Sequence, residues 1–317
     1  FGAVPAVFNM VVANVIRGEG YSLHAGLGLS LGGVLNIALD PFFVLPFGLN
    51  MNIKGAAIAT LISNVVTTLY FAILLIVIRK KSVVSFSPKK ACLAIKEKIA
   101  RNVLFTGLPS ALQTMLSAVS NLVLNSLMIG YGETAEAAIG VTKKIDAVPF
   151  GMVTGLAQGA APLIAYNNGA KKYDKMKTTL KLSLCYCVGL AITVLIVVES
   201  AAGALIEVFI KDASTVTYGE KFLRLHCASL PFMAVTFMLV SYFQAVGAKG
   251  KAFLLSIIRK GIVDIPLMYL LNVLIPVYGI VACQPITDVI SATVGVILYV
   301  LWKKKFQKTE EEQEIIV

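Results

Sequence analysis

The sequence predicts an all-α integral membrane protein, a two-lobe helical bundle with an internal repeat, and three observations carry that reading. The first is composition. Of the 317 residues, 57% are hydrophobic and only 14% are charged, and the mean hydropathy of +0.83 lies well above that of soluble domains. The second is the length of the apolar runs. Ile53–Ile78 and Leu182–Val198 can each cross about 30 Å of hydrocarbon as a helix, and neither shows the period-two alternation of a barrel strand. The third is a repeat. Gly55 stands 24 residues before the basic run Arg79-Lys80-Lys81, and Gly279 stands 24 before Lys303-Lys304-Lys305. Pro5 and Gly20 likewise correspond to Pro231 and Gly247, so the shifts between the halves are 224, 226 and 227.

Nine apolar segments follow one another, at about 1–16, 23–47, 53–78, 102–130, 137–165, 177–200, 216–245, 250–275 and 279–302. The first ends at the turn bearing Arg17 and Glu19, the second at the loop Leu45–Asn52, and the third at Arg79. The fourth stops at Tyr131-Gly132-Glu133, and the basic stretch opening at Lys171 separates the fifth from the sixth. Glu207–Glu220 lies between the sixth and seventh, with Ala204–Lys211 an apolar patch expected to form an interfacial turn. Lys249 and Lys251 part the seventh from the eighth, and Ile275–Tyr278 parts the eighth from the ninth. The domain division expected is therefore 1–78 as the remainder of an N-terminal lobe, 79–101 as a polar linker, 102–305 as a six-helix C-terminal lobe, and 306–317 as a tail, acidic and frayed from Thr309.

The net charge of +11 is not the mark of a nucleic-acid partner, because it is not spread evenly. Basic residues gather at alternate helix ends, namely Arg17, Arg79–Arg101, Lys171–Lys181, Lys249 with Lys251, and Lys303–Lys308, while the intervening loops carry far less. This is the positive-inside pattern of a multi-pass protein with its basic loops in the cytoplasm. The partner it implies is the lipid bilayer, and the protein is expected to be a monomer. Cys92, Cys185, Cys187, Cys227 and Cys283 are scattered without His or Cys at ligand spacing, so they read as small packing residues and no metal is expected. His24 and His226 have no carboxylate, Cys or second His at ligand or triad spacing, which argues against an enzyme.

Two similar helical halves are the sequence form of an alternating-access transporter, with its site between the halves. Pro109 precedes Pro231 by 122 residues. Shifted back by the repeat, its counterpart falls before residue 1, and the expectation is twelve helices of which the first three, about 115–130 residues, are not in this chain.

The residues also carry a family resemblance. Arg17-Gly-Glu-Gly20, Leu35-Asn-Ile-Ala-Leu-Asp-Pro41 and Gly55-Ala-Ala-Ile-Ala59 come first. Gly107-Leu-Pro-Ser110, Gly155-Leu-Ala-Gln-Gly159-Ala-Ala-Pro162, Tyr166-Asn-Asn-Gly-Ala-Lys171 and Gln284-Pro-Ile-Thr-Asp288 follow in the same order as in the multidrug and toxic compound extrusion (MATE) family. The chain resembles the last nine of that family's twelve helices, in its bacterial drug-exporter branch. The resemblance implies a secondary active exporter in the bacterial plasma (inner) membrane, which exchanges small organic cations for H⁺ or Na⁺ and uses no other cofactor. Two features depart from it. Ser117 stands where some branches have an ion-binding carboxylate on the seventh helix, and Ala234–Val246 lacks the acidic residue those branches add on the tenth.

Polar residues within apolar helices are costly in lipid and point to function. Ser110, Gln113, Ser117, Asn121 and Asn125 share one helical face at spacings of 3, 4, 4 and 4. Such a stripe suits the wall of a water-filled substrate cavity, and equally the hydrogen-bonded contact of two helices. Thr154 and Gln158 extend it on the next helix, beside Gly151, Gly155 and Gly159, whose spacing suits close helix packing. Asp40, Asp146 and Asp288 are the candidate ion-coupling carboxylates. Asp40 precedes Pro41, which frees the carbonyl of Ile37, and a packing or gating role competes with ion binding there. Asp146 could hold an ion or neutralise Lys143 and Lys144, and Asp288 sits with Gln284, Thr287 and Ser291 in a cluster fit for a hard cation or for helix packing. Asp264, four residues after Lys260, reads as a structural pair. The polar stripes look neutral to acidic, which favours cationic or neutral cargo over the alternative of a lipid-linked oligosaccharide flippase. A non-transporting truncated remnant is the other alternative.

Overall fold

The computed structural model describes residues 2–45, 48–49, 51–80, 82 and 99–314, with side chains as far as Lys304. Among these residues every regular element is a helix: α1 (Ala3–Gly18), α2 (Ser22–Val44), α3 (Asn52–Ile78), α4 (Ile99–Ile129), α5 (Glu133–Gly169) and α6 (Tyr173–Glu207). There follow α7 (Ala213–Cys227), α8 (Leu230–Ala245), α9 (Lys249–Ile257), a π-helical segment (Ile258–Val263), α10 (Asp264–Leu274) and α11 (Tyr278–Glu314). Six of these helices are long and apolar enough to span a membrane, and the bent pair α7–α8 makes a seventh. The outward faces agree with lipid as solvent. Val34, Ile37, Ile76, Leu122, Ile196 and Val273 are all exposed, a surface that would aggregate in water but costs nothing against acyl chains. The protein is an all-α integral membrane protein.

The chain divides into two compact units, Phe1–Glu97 and Lys98–Val317. The expected linker over 79–101 falls largely outside the described residues, and Cys92 with it. In the first unit α2 and α3 pack closely, because Gly28 and Gly32 let the backbones approach; a Cβ on Gly32 would lie 2.3 Å from Thr67 Oγ1. Lipid supplies no hydrophobic drive between helices, so such close contact is what holds them. Val12, Ile16, Phe71 and Ile78 fill the space between α1 and α3. In the second unit α5, α6 and α8 enclose a core that includes Ile164, Leu180, Cys187, Met238 and Phe243. A second cluster, Leu124, Met128, Ile139, Phe222 and Ile280, joins α4, α5, α7 and α11.

The repeat is visible in local geometry. Gly20 and Gly247 end α1 and α8 with φ of +92° and +74°, a left-handed conformation that glycine adopts at least cost. The same pair of bonds closes both turns: Gly20 N–H to Arg17 O (3.1 Å) with Tyr21 N–H to Ile16 O (3.1 Å), and Gly247 N–H to Gln244 O (3.1 Å) with Ala248 N–H to Phe243 O (2.8 Å). Gly55 and Gly279 also match. A Cβ on the first would lie 2.5 Å from Phe43 O, and on the second 2.2 Å from Leu271 O, so each glycine lets a helix start against the end of its predecessor.

Four expectations need correction. The seventh predicted helix is broken into α7 and α8, bent by 42°, because Pro231 at the start of α8 cannot donate into the preceding turn. The eighth is interrupted by the π segment, where Pro266 has no N–H to offer the carbonyl of Ile262 one turn before it. Helix α11 runs to Glu314, through the tail expected to fray from Thr309. The glycines at 151, 155 and 159 do not mediate helix packing: a Cβ on any of them would meet nothing within 4 Å.

Candidate functional site

In the first unit, Asp40 lies one turn before the end of α2 and is half-buried. Its Oδ1 accepts from Asn36 Nδ2 at 3.4 Å, and the same amide reaches Thr60 Oγ1 on α3 at 3.3 Å. Neighbouring them is a cavity of about 280 Å³ walled by Asn9, Asn36, Thr60, Asn64 and Thr67. Asn9 is buried yet satisfied, donating to Asn64 O (2.9 Å) and accepting from Thr68 Oγ1 (2.9 Å). The wall thus mixes amide and hydroxyl groups with the apolar side chains of Met10 and Leu29, and Asp40 reaches it through Asn36.

In the second unit the π segment places two adjacent basic residues toward the interior. Arg259 is almost fully buried, and its Nε donates to Asp288 Oδ1 at 2.6 Å while its guanidinium lies 4.8 Å from the centre of the Phe237 ring. Lys260 Nζ donates to Asp264 Oδ2 (3.1 Å) and Gln284 Oε1 (2.6 Å), and Gln284 Nε2 passes the chain on to Asp288 Oδ2 (2.9 Å). Ser120 Oγ closes it, donating to Asp264 Oδ2 at 2.5 Å. Two buried carboxylates therefore face one buried and one partly buried cation, and each charge has a partner, the condition for keeping ions in a low-dielectric interior.

Beside this network lies a cavity of about 230 Å³, walled by Ser117, Asn121, Lys143, Asp146, His226 and Lys260 among others. Ser117 and Asn121 therefore do border a space, within the second unit. Asn125 accepts from Lys143 Nζ at 3.0 Å, and Gln113 is buried. Thr154 bonds its own helix through Phe150 O at 2.8 Å, and Gln158 is exposed; neither is on this wall. Besides the stripe residues Ser117 and Asn121, the lining includes Lys143, Arg259 and Lys260, two of which are balanced by Asp288 and Asp264.

The carboxylates differ in their partners. Asp146 is held by His226 Nε2 at 3.2 Å, not by Lys143, which turns to Asn125. Asp264 has Lys260, as its spacing indicates. The sequence sets no basic residue near Asp288, yet the π segment supplies one in Arg259, 29 residues earlier in the chain. Of these four, Asp40 is the one whose partner among the described residues is a neutral amide.

This arrangement of helices has close relatives. The MatE profile matches residues 109–270, which is half of the chain. The chain belongs to the MatE family. It is 30% identical over 302 residues to the multidrug export protein MepA of Staphylococcus saprophyticus, covering 95% of this chain and 65% of that one. To MepA of Staphylococcus aureus it is 28% identical, covering 96% of this chain and 66% of that one. The chain thus spans just under two thirds of the length of the curated relatives it matches. An outward-facing multidrug resistance MATE family transporter of the MOP superfamily superposes with a TM-score of 0.85 at 26% identity, over 97% of this chain and 68% of that chain. A point mutant of the Vibrio cholerae MATE transporter VcmN shares the fold at 20% identity with a TM-score of 0.84, over 96% of this chain and 68% of that chain. MatE membership puts the chain in a family of transporters and not of enzymes.

Within this MatE chain, sequence reasoning missed Asn36 and Thr60 beside Asp40, and Arg259 and His226 beside Asp288 and Asp146. The signal for the first pair was present. A shift of 224, read from Gly55 and Gly279, lays Asn36, Asp40 and Thr60 on Lys260, Asp264 and Gln284, so each half contains a donor, a carboxylate four residues on, and an oxygen-bearing side chain on the next helix.

Proposed function

We propose that this protein is a secondary active exporter of small organic cations, driven by exchange with H⁺ or Na⁺ as its two halves open alternately to the two sides of a bacterial inner membrane. The observation that supports the reading best is Asp40. It is a half-buried carboxylate on a membrane-spanning helix, whose partner is the neutral amide of Asn36, itself on the wall of a cavity of mixed polarity. A group that alternately holds and releases a cation must be able to change charge, which a permanent basic partner would prevent. Asp264 and Asp288 have such partners, and Asp40 has none among the described residues.

The test is ethidium efflux from an efflux-deficient bacterium expressing the protein from its gene. Asp40→Asn is expected to lower the efflux rate by tenfold or more with membrane abundance unchanged. Efflux by Asp40→Asn equal to the unaltered protein would overturn the reading. Imposed pH and Na⁺ gradients in vesicles, applied one at a time, decide between the two coupling ions.

A further inference from the structure

The two halves carry corresponding three-residue networks, each around an aspartate; threonine in one is glutamine in the other, and the asparagine donor of one is a lysine in the other, which changes the charge. In the first unit Asn36 Nδ2 bridges Asp40 (3.4 Å) and Thr60 (3.3 Å). In the second, Lys260 Nζ bridges Asp264 (3.1 Å) and Gln284 (2.6 Å). The positions correspond at a single shift of 224, the shift that also relates Gly55 to Gly279. The cavities correspond in part: Asn36 and Thr60 wall the first, and Lys260 and Gln284, at the same shift, wall the second.

We infer that the second unit contains a copy of the cation site in which the ammonium of Lys260 is the resident monovalent cation, so that Asp264 and Gln284 form a latent site for Na⁺ that Lys260 keeps filled. The charge count supports this. An asparagine donor leaves the carboxylate of its network with a full negative charge, which only a proton or a bound cation can balance. A lysine donor brings the balancing charge on a tether, at a distance of 3.1 Å from the carboxylate. The ligand atoms around it also suit a small hard cation. Asp264 Oδ2 and Gln284 Oε1 already point at Lys260 Nζ, and Ser120 Oγ is bonded to the same carboxylate oxygen; an all-oxygen set with one carboxylate is the kind that holds such ions. The burial of Asp264, at 1% exposed, makes an unfilled state costly, which explains why the cation is built in. The exchangeable charge of these paired networks would then reside in the first unit, and the second would keep Asp264 permanently balanced. This inference uses the reading of Asp40 as a cation site for comparison, and its readout is equilibrium binding, independent of transport.

Thermal unfolding of the purified protein in detergent at pH 8, with NaCl exchanged for choline chloride at constant ionic strength, tests it. The decisive comparison is made with Asp40→Asn present throughout, which removes the first unit's own response. On that background the unfolding midpoint should not depend on Na⁺ while Lys260 is intact. Adding Lys260→Asn, which gives the second copy the donor of the first, should create a saturable Na⁺-dependent rise of several degrees, and adding Asp264→Asn as well should abolish it. A folded Lys260→Asn protein with no Na⁺ response overturns the inference, as does an Asp264-dependent Na⁺ response with Lys260 in place. If Lys260→Asn fails to accumulate, abundance becomes the readout. The Lys260→Asn, Asp264→Asn double variant should then recover it, since a neutral pair needs no cation, and failure to recover overturns the inference.

Discussion

Four aspartates, each on a helix, show how far one residue type is defined by its surroundings. Asp288 is held by Arg259 in a pair almost wholly removed from solvent, and Asp264 by Lys260 and Ser120. Asp146 rests on His226, and Asp40 on Asn36. Sequence spacing exposed the Lys260–Asp264 pair because its members are four apart on one helix. It could not expose Arg259–Asp288, whose members come from different helices and meet only when the π segment turns Arg259 inward. The consequence for Asp288 is structural. Asp288→Asn leaves a buried guanidinium without its charge partner, and removal of one member of a buried pair costs about 3–5 kcal/mol. The expected outcome is a markedly lower unfolding temperature and reduced abundance, measured by thermal denaturation in detergent. An Asp288→Asn protein with unaltered stability and lost transport would instead return Asp288 to the coupling residues.

At the scale of helices, glycine spacing in the sequence was an unreliable guide to contact. Gly151, Gly155 and Gly159 have the four-residue spacing of a packing motif, yet a side chain on any of them would meet open space. Gly28 and Gly32 have the same spacing and do bring α2 against α3. The difference lies in which face a neighbouring helix occupies, and a single sequence does not record that. Gly55 and Gly279 were legible by another route, since their matched distance to a basic run marked them as repeat positions before any contact was known. Their substitution makes the distinction measurable. In Gly279→Ala the new Cβ would lie 2.2 Å from Leu271 O, a backbone atom that cannot rotate away, and overpacking of this kind costs about 1–3 kcal/mol. Gly155→Ala introduces no clash and removes a flexible residue from a helix interior, a gain of roughly 0.5–1 kcal/mol. Unfolding midpoints should therefore move in opposite directions, down for Gly279→Ala and up for Gly155→Ala; movement in the same direction would show that local packing does not govern either.

For the whole molecule, fold class and repeat were legible because they rest on properties summed over many residues: the apolar run lengths, the alternation of basic loops, and a constant shift between halves. The bend between α7 and α8 and the π segment were not, because each depends on how one proline resolves a local conflict over a missing N–H. Orientation in the membrane belongs to the first kind, and it can be checked on α5. That helix has 37 residues, about 55 Å at 1.5 Å per residue, which exceeds the roughly 40–45 Å of a bilayer with its headgroups. Its two ends must then open on opposite sides. The Tyr131-Gly132 turn carries no basic residue and leads into Glu133 and Glu136, whereas Lys171, Lys172, Lys175 and Lys177 crowd the other end. Since basic loops stay in the cytoplasm, Tyr131 should face out and Lys172 in. With Cys92 and Cys185 replaced by serine to silence native thiols, Tyr131→Cys should react with a membrane-impermeant maleimide in intact cells. Lys172→Cys should react only after permeabilisation. The reverse pattern would invert the orientation of α5.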